Sequence, residues 1–288
     1  MPRGNMKSIK RRIKVVGSTL QITKAMEMVS SSKLRRAKAQ TEKMRPYFNA
    51  LNGMLSDIAA EKKDFSTIFT VPRDEVKNRL FIVIAGDRGL AGGYNSNIVR
   101  LVGEHTASSE TKPKIIAIGK TTVDYFKKNQ SKYELIGEYP HFSENIKASR
   151  CGDIADCVTD LFRTGEVDEV WIFYTAFISA LNQEITSKQL LPFIPAETVE
   201  KQPDFTRYDP SPEAVFDRII PKMLLSIISC ACVEAYASEQ SARRNAMENA
   251  SDNAEEMIEN LSLQYNRLRQ EKITNEINEI VGGANAIS

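Results

Sequence analysis

Residues 254–280 read AEEMIENLSLQYNRLRQEKITNEINEI, and this stretch decides the fold of the chain. Apolar side chains recur there at steps of three and four, which is the spacing of one face of an α-helix. Neither Gly nor Pro occurs between Pro221 and Gly282, and we expect the Gly282-Gly283 pair to end the helix. About sixty residues of helix extend roughly 90 Å. The stripe consists of Ala254, Ile258, Leu261, Tyr265 and Leu268 and then shifts to Ile273, Ile277 and Ile280.

The start of the chain carries a second helical pattern, over about residues 5–60. A single long helix cannot bury an apolar stripe on itself, so we expect residues 1–60 and 210–288 to pair as antiparallel helices. Skips in the stripe predict an irregular supercoil. The C-terminal helix should extend beyond the end of the N-terminal helix and expose an apolar tip. An exposed apolar surface of this kind is typical of a binding site for another protein. The apolar stripe of the N-terminal helix includes Ile9, Ile13, Val16, Leu20, Ile22, Met26 and Val29.

The middle of the chain, residues 75–200, predicts a domain in which strands alternate with helices. This order is typical of βαβ units around a mainly parallel sheet. The predicted fold class is therefore α/β, with a Rossmann-like domain inserted into an antiparallel coiled coil of long N- and C-terminal helices. The strand-like runs are 79–85, 114–118, 133–139, 169–177 and 183–195, and the helical patterns between them cover about 95–108, 120–130 and 147–165.

The loop GDRGLAGGYN (86–95) follows the first strand, where a nucleotide-binding loop would lie. A dinucleotide fingerprint requires GxGxxG and an acidic residue after the second strand, and both are missing. Gly119-Lys120-Thr121 resembles the end of a phosphate-binding loop, but position 114 is Lys where that motif needs Gly. Glycines that shape a tight turn explain the loop better. A nucleotide-dependent enzyme built on this domain stays open as an alternative.

Little in the sequence points to catalysis, a metal site or a cofactor. The four cysteines lack CxxC spacing and the only two histidines lie far from them, so we expect buried thiols rather than a zinc site. We find no motif typical of a catalytic triad or of a metalloprotease. The sequence contains no run of 18 uninterrupted apolar residues that would predict a membrane span. We therefore expect no catalytic residue, no cofactor and no metal.

Charge is distributed unevenly along the chain. Residues 1–45 contain thirteen Lys and Arg but two acids, although the net charge of the whole chain is only +2. A basic amphipathic helix can bind nucleic acid, an anionic membrane surface or an acidic protein. Residues 1–45 lack aromatic side chains for stacking on bases, which weakens the nucleic-acid alternative.

Four stretches of the chain carry a resemblance to a known family, and they are STLQITKAMEMVSSSKLRRA (18–37), IAGDRGLAGGYNSN (84–97), ASEQSARRNAMENASDNAEEMI (237–258) and YNRLRQEKITNEINEIVGGA (265–284). They closely resemble the gamma subunit of F-type rotary ATP synthase, and the resemblance covers essentially the whole chain. The resemblance implies a non-catalytic rotor. Its shaft would be residues 1–60 paired with 210–288, and its foot would be the α/β domain of residues 75–200.

The resemblance also implies partners and contact residues. The shaft would turn inside three alpha and three beta subunits, and the foot would lie near the epsilon subunit and the membrane ring of c subunits. We expect no nucleic acid partner, and we expect a bacterial protein that is peripheral to the cytoplasmic face of the cell membrane. The implied alpha and beta contacts are Lys24, Met26, Lys33, Arg35, Arg36, Asp87, Arg88, Leu90, Arg269, Gln270 and Ile280, and the implied c-ring contacts are Tyr208 and Asp209. For Met26, spacing alone favours a place in the coiled-coil core.

Overall fold

The computed structural model describes residues 6–60, 65–106, 111–143, 146–194 and 208–285, with the side chains of residues 59, 60 and 282–285 left aside. Five helices and five strands occur in these ranges. The helices are α1 (Met6–Ala60), α2 (Tyr94–Thr106), α3 (Lys120–Lys128), α4 (Ala148–Arg163) and α5 (Pro212–Asn285). The strands are β1 (Arg79–Ile84), β2 (Lys114–Ile118), β3 (Glu134–Tyr139), β4 (Glu169–Phe177) and β5 (Gln183–Leu191).

The five strands form one sheet in the order β3-β2-β1-β4-β5. The first four strands pair in parallel, and β5 returns antiparallel to β4 through a hairpin. Strands joined by helices give parallel pairs, and such a sheet is covered on both faces. The central strand β1 accordingly is buried over almost its whole length. The predicted mainly parallel sheet is confirmed.

The sheet carries a hydrophobic core on each face. Alternate residues of β1 point to opposite faces, so Ile82 belongs to one core and Phe81 to the other. The first core lies under α4, the end of α1 and the start of α5. The second core lies under α2 and α3. This three-layer arrangement brings the first thirty residues of α5 onto the sheet, which the sequence pattern did not specify.

Contacts divide the chain into two units, residues 1–30 with 243–288 and residues 31–242. In the first unit α1 and α5 run antiparallel: the hydroxyls of Thr23 and Ser251 lie 2.7 Å apart, whereas Ser8, earlier on α1, lines a groove together with Gln264, later on α5. The α/β core belongs to the second unit. The functional division into a shaft (1–60 with 210–288) and a foot (75–200) stays a prediction.

The side chains of α5 in the first unit follow the predicted stripe. One series of buried or half-buried positions recurs at alternating steps of four and three, and its members are Met247, Ser251, Ala254, Ile258, Leu261, Tyr265 and Leu268. This spacing is that of the seam of a two-helix coiled coil. The prediction that Gly282-Gly283 ends the helix was wrong, because α5 continues to Asn285. Glycine lowers helix stability by about 1 kcal/mol but does not block helical geometry.

The stripe predicted for α1 was partly wrong. The most buried residues of α1 in the first unit are Ile9, Thr23 and Ser30, whereas Ile22 and Val29 are 60% and 54% exposed. Val16 is half-buried between Ile9 and Thr23, so the buried series advances by seven residues at each step. The apolar pattern of α1 is therefore interrupted because some positions of a regularly spaced seam are occupied by polar residues. The irregular supercoil had been predicted from these skips, and the burial pattern removes that reason for it.

One further expectation needs correction, that of buried thiols at all four cysteines. Cys157 is exposed and Cys230 half-buried, so only Cys151 and Cys232 are the buried thiols that we expected. One described helix, α5, is long and apolar enough over an 18-residue window, with mean hydropathy 1.6, to cross a membrane. Over its first turns this helix packs Phe216, Ile220 and Leu224 into the core of the α/β unit, and burial there explains its apolar composition.

Candidate functional site

The loop after β1 is held in shape by hydrogen bonds from the side chain of Asn95 as well as by the conformations of its glycines. Asn95 Oδ1 accepts a hydrogen bond of 2.9 Å from the backbone N–H of Gly86, and Asn95 Nδ2 donates to the carbonyl of Arg88 at 3.2 Å. Gly92 has φ 58°, as expected of glycine in a tight turn. Leu90 has φ 62° although it is not glycine, and its side chain is 65% exposed. Holding a leucine in this conformation costs free energy, which is typical of functional positions.

Asp87 lies at the base of this loop and is half-buried. Its carboxylate accepts four hydrogen bonds, from the backbone N–H groups of Lys120, His141 and Ser143 and from the Ser143 hydroxyl. Burial alone would raise the pKa of Asp87, but these hydrogen bonds outweigh it and hold the pKa below its usual range. Asp87 therefore joins the loops that follow β1, β2 and β3. Sequence reasoning missed this role because the donors lie far away along the chain.

The crevice that would hold a nucleotide is filled by α5. In open α/β sheets ligands bind beyond the carboxyl ends of the strands, at the point where strand order reverses, here between β1 and β4. Tyr94 Oη donates a hydrogen bond of 2.8 Å to the carbonyl of Ala235 there. A Cβ added to Gly86 would lie 2.8 Å from the carboxyl carbon of Glu239. The cavity left beside these residues measures about 10 Å³, which is room for one water at most.

The Gly119-Lys120-Thr121 sequence has a structural use in the same place. Gly119 has φ 100°, and a Cβ there would lie 2.1 Å from the carbonyl oxygen of Ala85. The N–H and the hydroxyl of Thr121 both donate to the carbonyl of Gly86, at 3.2 and 2.5 Å. These contacts fix α3 against the loop after β1. The groups that would bind a phosphate in a nucleotide site are thus used to join two loops.

The basic residues predicted on α1 have different surroundings. Lys24 forms an ion pair with Glu255 of α5, and hydrogen bonding to Glu255 raises the pKa of Lys24. Lys33 is half-buried, and Arg35 and Arg36 are exposed. Arg35 and Arg36 therefore place two neighbouring cations on the surface of α1, whereas the charge of Lys24 is partly neutralised within the chain.

Met26 lies at the border of an exposed apolar stripe that the sequence analysis missed. Met26 is half-buried. Beside it, Val15, Ile22 and Val29 are each more than half exposed and lie seven residues apart. Seven residues are close to two helical turns, so these side chains lie on one face of α1. The apolar pattern alone did not reveal that this face is exposed, because the seam itself is occupied by polar residues, Thr23 and Ser30.

An open groove of about 690 Å³ separates α1 and α5 within the first unit. Val15, Val16, Met257 and Leu261 are among its lining residues, with Arg11 and Arg12. The groove adds apolar surface, bordered by two cations, to the exposed stripe.

The tip of α5 extends past the seam. Every described side chain from Arg269 to Val281 is exposed, which confirms that the tip lacks a partner among the described residues. Ile273, Ile277 and Ile280 are 47%, 54% and 72% exposed. The seam spacing that ends at Leu268 would continue at position 272, so the tip stripe is displaced by one residue, or about 100° around the helix. This stripe therefore faces another direction from the seam.

The remaining predicted contacts are placed as follows. Arg269 and Gln270 are exposed at the start of the tip, next to the intrahelical ion pair of Arg267 and Glu271 at 3.2 Å. Arg88 is exposed on the loop after β1. Tyr208 packs partly against the first core, and Asp209 is exposed beside it.

A cluster of half-buried and exposed polar side chains lies between α1, β4, β5 and α5 in the α/β unit. A cavity of about 270 Å³ is bordered there by Arg45, Tyr174, Lys188 and Glu234. Burial raises the pKa of Glu234, and burial, followed by the charge of Glu234, raises the pKa of Tyr174 to about 12. Among the described residues no group of three His, Cys, Asp or Glu side chains could hold a metal ion.

Comparison with known proteins agrees with the sequence motifs. The sequence model of the ATP synthase family matches residues 5–287. The ATP synthase gamma chain of Ruminococcus albus is 46% identical over 280 residues, covering 96% of both chains. The sodium ion specific ATP synthase gamma chain of Acetobacterium woodii is 40% identical over 303 residues, covering 99% of both chains.

Solved structures show the same fold. A chain of the Euglena gracilis mitochondrial ATP synthase, in its OSCP/F1/c-ring assembly, superimposes with a TM-score of 0.69 at 19% identity, covering 98% of this chain and 94% of that one. A chain of the Tetrahymena thermophila mitochondrial ATP synthase central stalk and c-ring superimposes with a TM-score of 0.61 at 24% identity, covering 80% of this chain and 99% of that one.

Proposed function

Because the chain belongs to the ATP synthase gamma chain family, we propose that it is the central rotor of an F-type ATP synthase. In this role it couples ion-driven rotation of a c-ring to ATP synthesis and hydrolysis at the beta subunits. The observation that carries the proposal is the apolar surface that α1 and α5 leave exposed. The stripe Val15–Ile22–Val29 and the tip stripe Ile273–Ile277–Ile280 both lie outside the seam that the two helices share. Exposed apolar stripes on a folded helix pair mark a partner surface.

The rotor performs no bond chemistry in this proposal, and nucleotides bind on its partners. Filling of the sheet crevice by α5 supports this, because Glu239 and Ala235 take the space that a nucleotide would need. The partners are three alpha and three beta subunits, with the epsilon subunit and the c-ring at the foot. The chain would be held at the cytoplasmic face of the membrane through that complex alone.

The chain transmits force by making different contacts in different rotational positions. A rotor changes the affinity of a beta subunit for nucleotide only if its contacts differ in free energy between the states of that subunit. Each 1.4 kcal/mol of such difference changes affinity about tenfold. An apolar stripe on one side of a helix pair supplies this asymmetry, because burying apolar surface yields about 25 cal/mol per Å².

The polar contacts have complementary roles. Arg35 and Arg36 attract acidic segments of the beta subunits over several ångströms, an interaction that salt screens and that is easily remade at each step. Arg269 would donate to carboxylate or carbonyl oxygens of a beta subunit, since its planar fork fixes geometry. Tyr208 and Asp209 are the proposed c-ring contacts, and the remaining proposed alpha and beta contacts are Lys24, Met26, Lys33, Asp87, Arg88, Leu90, Gln270 and Ile280.

Reconstitution with cognate alpha and beta subunits tests the function. The expected result is a complex with one copy of this chain for three alpha and three beta subunits. ATP should then drive stepwise rotation of a bead attached to the α/β unit. Exposed Cys157 is a site for attaching the bead. A chain that fails to assemble, or a complex whose bead stays still while ATP is hydrolysed, would contradict the proposal.

A further inference from the structure

The cavity of about 270 Å³ in the α/β unit lies between α1, the β4–β5 side of the sheet and α5. Sites for drug-sized molecules usually measure about 300–1,000 Å³, so this cavity has room for a somewhat smaller ligand. The proposed rotor function makes no use of it.

The sheet forms the floor of the cavity with one face of two strands. Ile172 and Tyr174 are two residues apart on β4, so their side chains point to the same face. Lys188 of β5 is the direct antiparallel partner of Ile172, and directly paired residues also share a face. The floor therefore carries an apolar side chain, a phenol and an ammonium group side by side.

The walls of the cavity come from one face of each helix. Lining residues on α1 and on α5 are spaced by four and three positions, which places them on one side of their helix. They are Thr41, Arg45 and Phe48 on α1 and Ile227, Ala231 and Glu234 on α5. The walls thus combine apolar side chains with one cation and one carboxylate.

The charged groups at the cavity are unbalanced. Arg45 and Lys188 are exposed at its border, and Glu234 is half-buried. Glu234 accepts a hydrogen bond from Tyr174, whereas Arg45 and Lys188 act on it only through the attraction of opposite charges. Within the described ranges of the chain, neither cation forms an ion pair with an acidic side chain. Two positive charges therefore face one negative charge, which leaves one positive charge for a ligand.

We propose that this cavity binds a small aliphatic monocarboxylate, with its carboxylate between Arg45 and Lys188 and its hydrocarbon chain against Phe48, Ile172 and Ile227. A ligand with a single negative charge brings the charge at the cavity to zero. The guanidinium of Arg45 matches the two oxygens of a carboxylate, and the apolar walls remove the hydrocarbon chain from water. The inference is independent of the proposed rotor function, because it concerns the folded chain alone.

Isothermal titration calorimetry of the full chain with sodium hexanoate tests the proposal. Hexanamide has nearly the same size but no charge, and acetate has the charge without the hydrocarbon chain. We expect saturable binding of one hexanoate per chain, and binding weaker by about tenfold or more for hexanamide and for acetate. Leucine adds an ammonium group and should also bind about tenfold more weakly, since the cavity already has an excess of positive charge.

Two variants locate the site. Arg45→Gln and Lys188→Gln should each weaken hexanoate binding about tenfold, because each removes a charged partner of the carboxylate. Lys43→Gln is the matched control, since it removes an exposed cation of α1 that does not line the cavity. All three side chains are exposed, so we expect unchanged melting temperatures in the absence of hexanoate.

Absence of saturable hexanoate binding up to about 10 mM would overturn the inference. Equal binding of hexanamide, tighter binding of leucine, or an effect of Lys43→Gln as large as that of Arg45→Gln and Lys188→Gln would also overturn it. Assembly with alpha and beta subunits is measured on the same preparation, and failure to assemble would bear on the rotor function alone.

Discussion

The hydroxyls of Thr23 on α1 and Ser251 on α5 lie 2.7 Å apart in the seam between the two helices. Thr23 also donates to the carbonyl of Leu20 at 3.0 Å, and Ser251 Oγ lies 2.9 Å from the carbonyl of Met247. Both side chains are buried. Thr23 gives its one proton to Leu20, so the hydrogen bond between the helices is donated by Ser251 to Thr23 Oγ1, with the carbonyl of Met247 as the alternative acceptor on its own helix.

Thr23→Val should change the free energy of unfolding by less than about 1 kcal/mol. A lost hydrogen bond costs about 1 kcal/mol net, and a buried methyl group returns about 0.8 kcal/mol. Ser251 retains the carbonyl of Met247 as its acceptor. Urea unfolding followed by circular dichroism at 222 nm measures the change. A loss of 2 kcal/mol or more would mean that the hydroxyl pair itself holds the helices together.

Sequence patterns predicted the order of strands and helices well because each strand is an apolar run and each helix repeats every three or four residues. Those patterns failed where polarity and burial disagree, as at Thr23 and Ser30. They also could not reveal that Asp87 is occupied within the chain, since its hydrogen-bond donors lie 33 to 56 residues away. Contacts of this kind depend on the assembled sheet.

Gly119→Ala should destabilise the α/β unit by about 3 kcal/mol or more, from strain at positive φ together with steric overlap. A Cβ at this position would lie 2.1 Å from the carbonyl oxygen of Ala85, which is backbone and cannot rotate away. Gly89→Ala is the matched control, because a Cβ there meets nothing within 4 Å. Fluorescence of the single tryptophan, Trp171 in β4, reports unfolding of this unit. Equal stability of the two variants would contradict the geometry.

Asp87→Asn should destabilise the chain at neutral pH, and the difference from the unmodified chain should shrink as the pH falls. The folded pKa of Asp87 is lowered below its unfolded value of about 3.9. The carboxylate therefore contributes its full stability above that value and loses it as the pH falls through the folded pKa. At pH 7 we expect the substitution to lower the free energy of unfolding by about 1–2 kcal/mol. The lower end of this range applies because the carboxylate is partly exposed to solvent.

Urea unfolding of both chains between pH 7 and pH 3 gives this difference directly, because groups common to the two chains cancel. Ser143→Ala is a useful companion variant, since it removes one donor and leaves the charge of Asp87 in place. A difference that stays constant over the whole pH range would show that the charge of Asp87 does not contribute.

Arg269→Ala should leave folding of the chain unchanged and reduce ATP turnover in the reconstituted complex. Its side chain is exposed on the part of α5 beyond the seam, so its loss removes no packing within the chain. Arg267→Ala is the matched control, being an exposed Arg two residues earlier whose partner is Glu271 on the same helix. Melting temperature and ATPase rate separate the two roles. A lowered melting temperature with normal turnover would make Arg269 a structural residue.

Ile280→Asp should impair assembly with alpha and beta subunits while leaving the isolated chain as stable as before. Ile280 is 72% exposed, and the tip stripe it belongs to is turned away from the seam of α1 and α5. A charge at this position therefore meets water in the free chain, but it must lose that water when the tip enters an apolar partner site. Ile258→Asp gives the opposite expectation, because Ile258 is half-buried in the seam and its replacement should lower the melting temperature of the free chain. Calorimetry of the free chains and gel filtration of the mixtures with alpha and beta subunits provide both readouts. If Ile280→Asp melted several degrees lower by itself, the tip would have a partner within the chain.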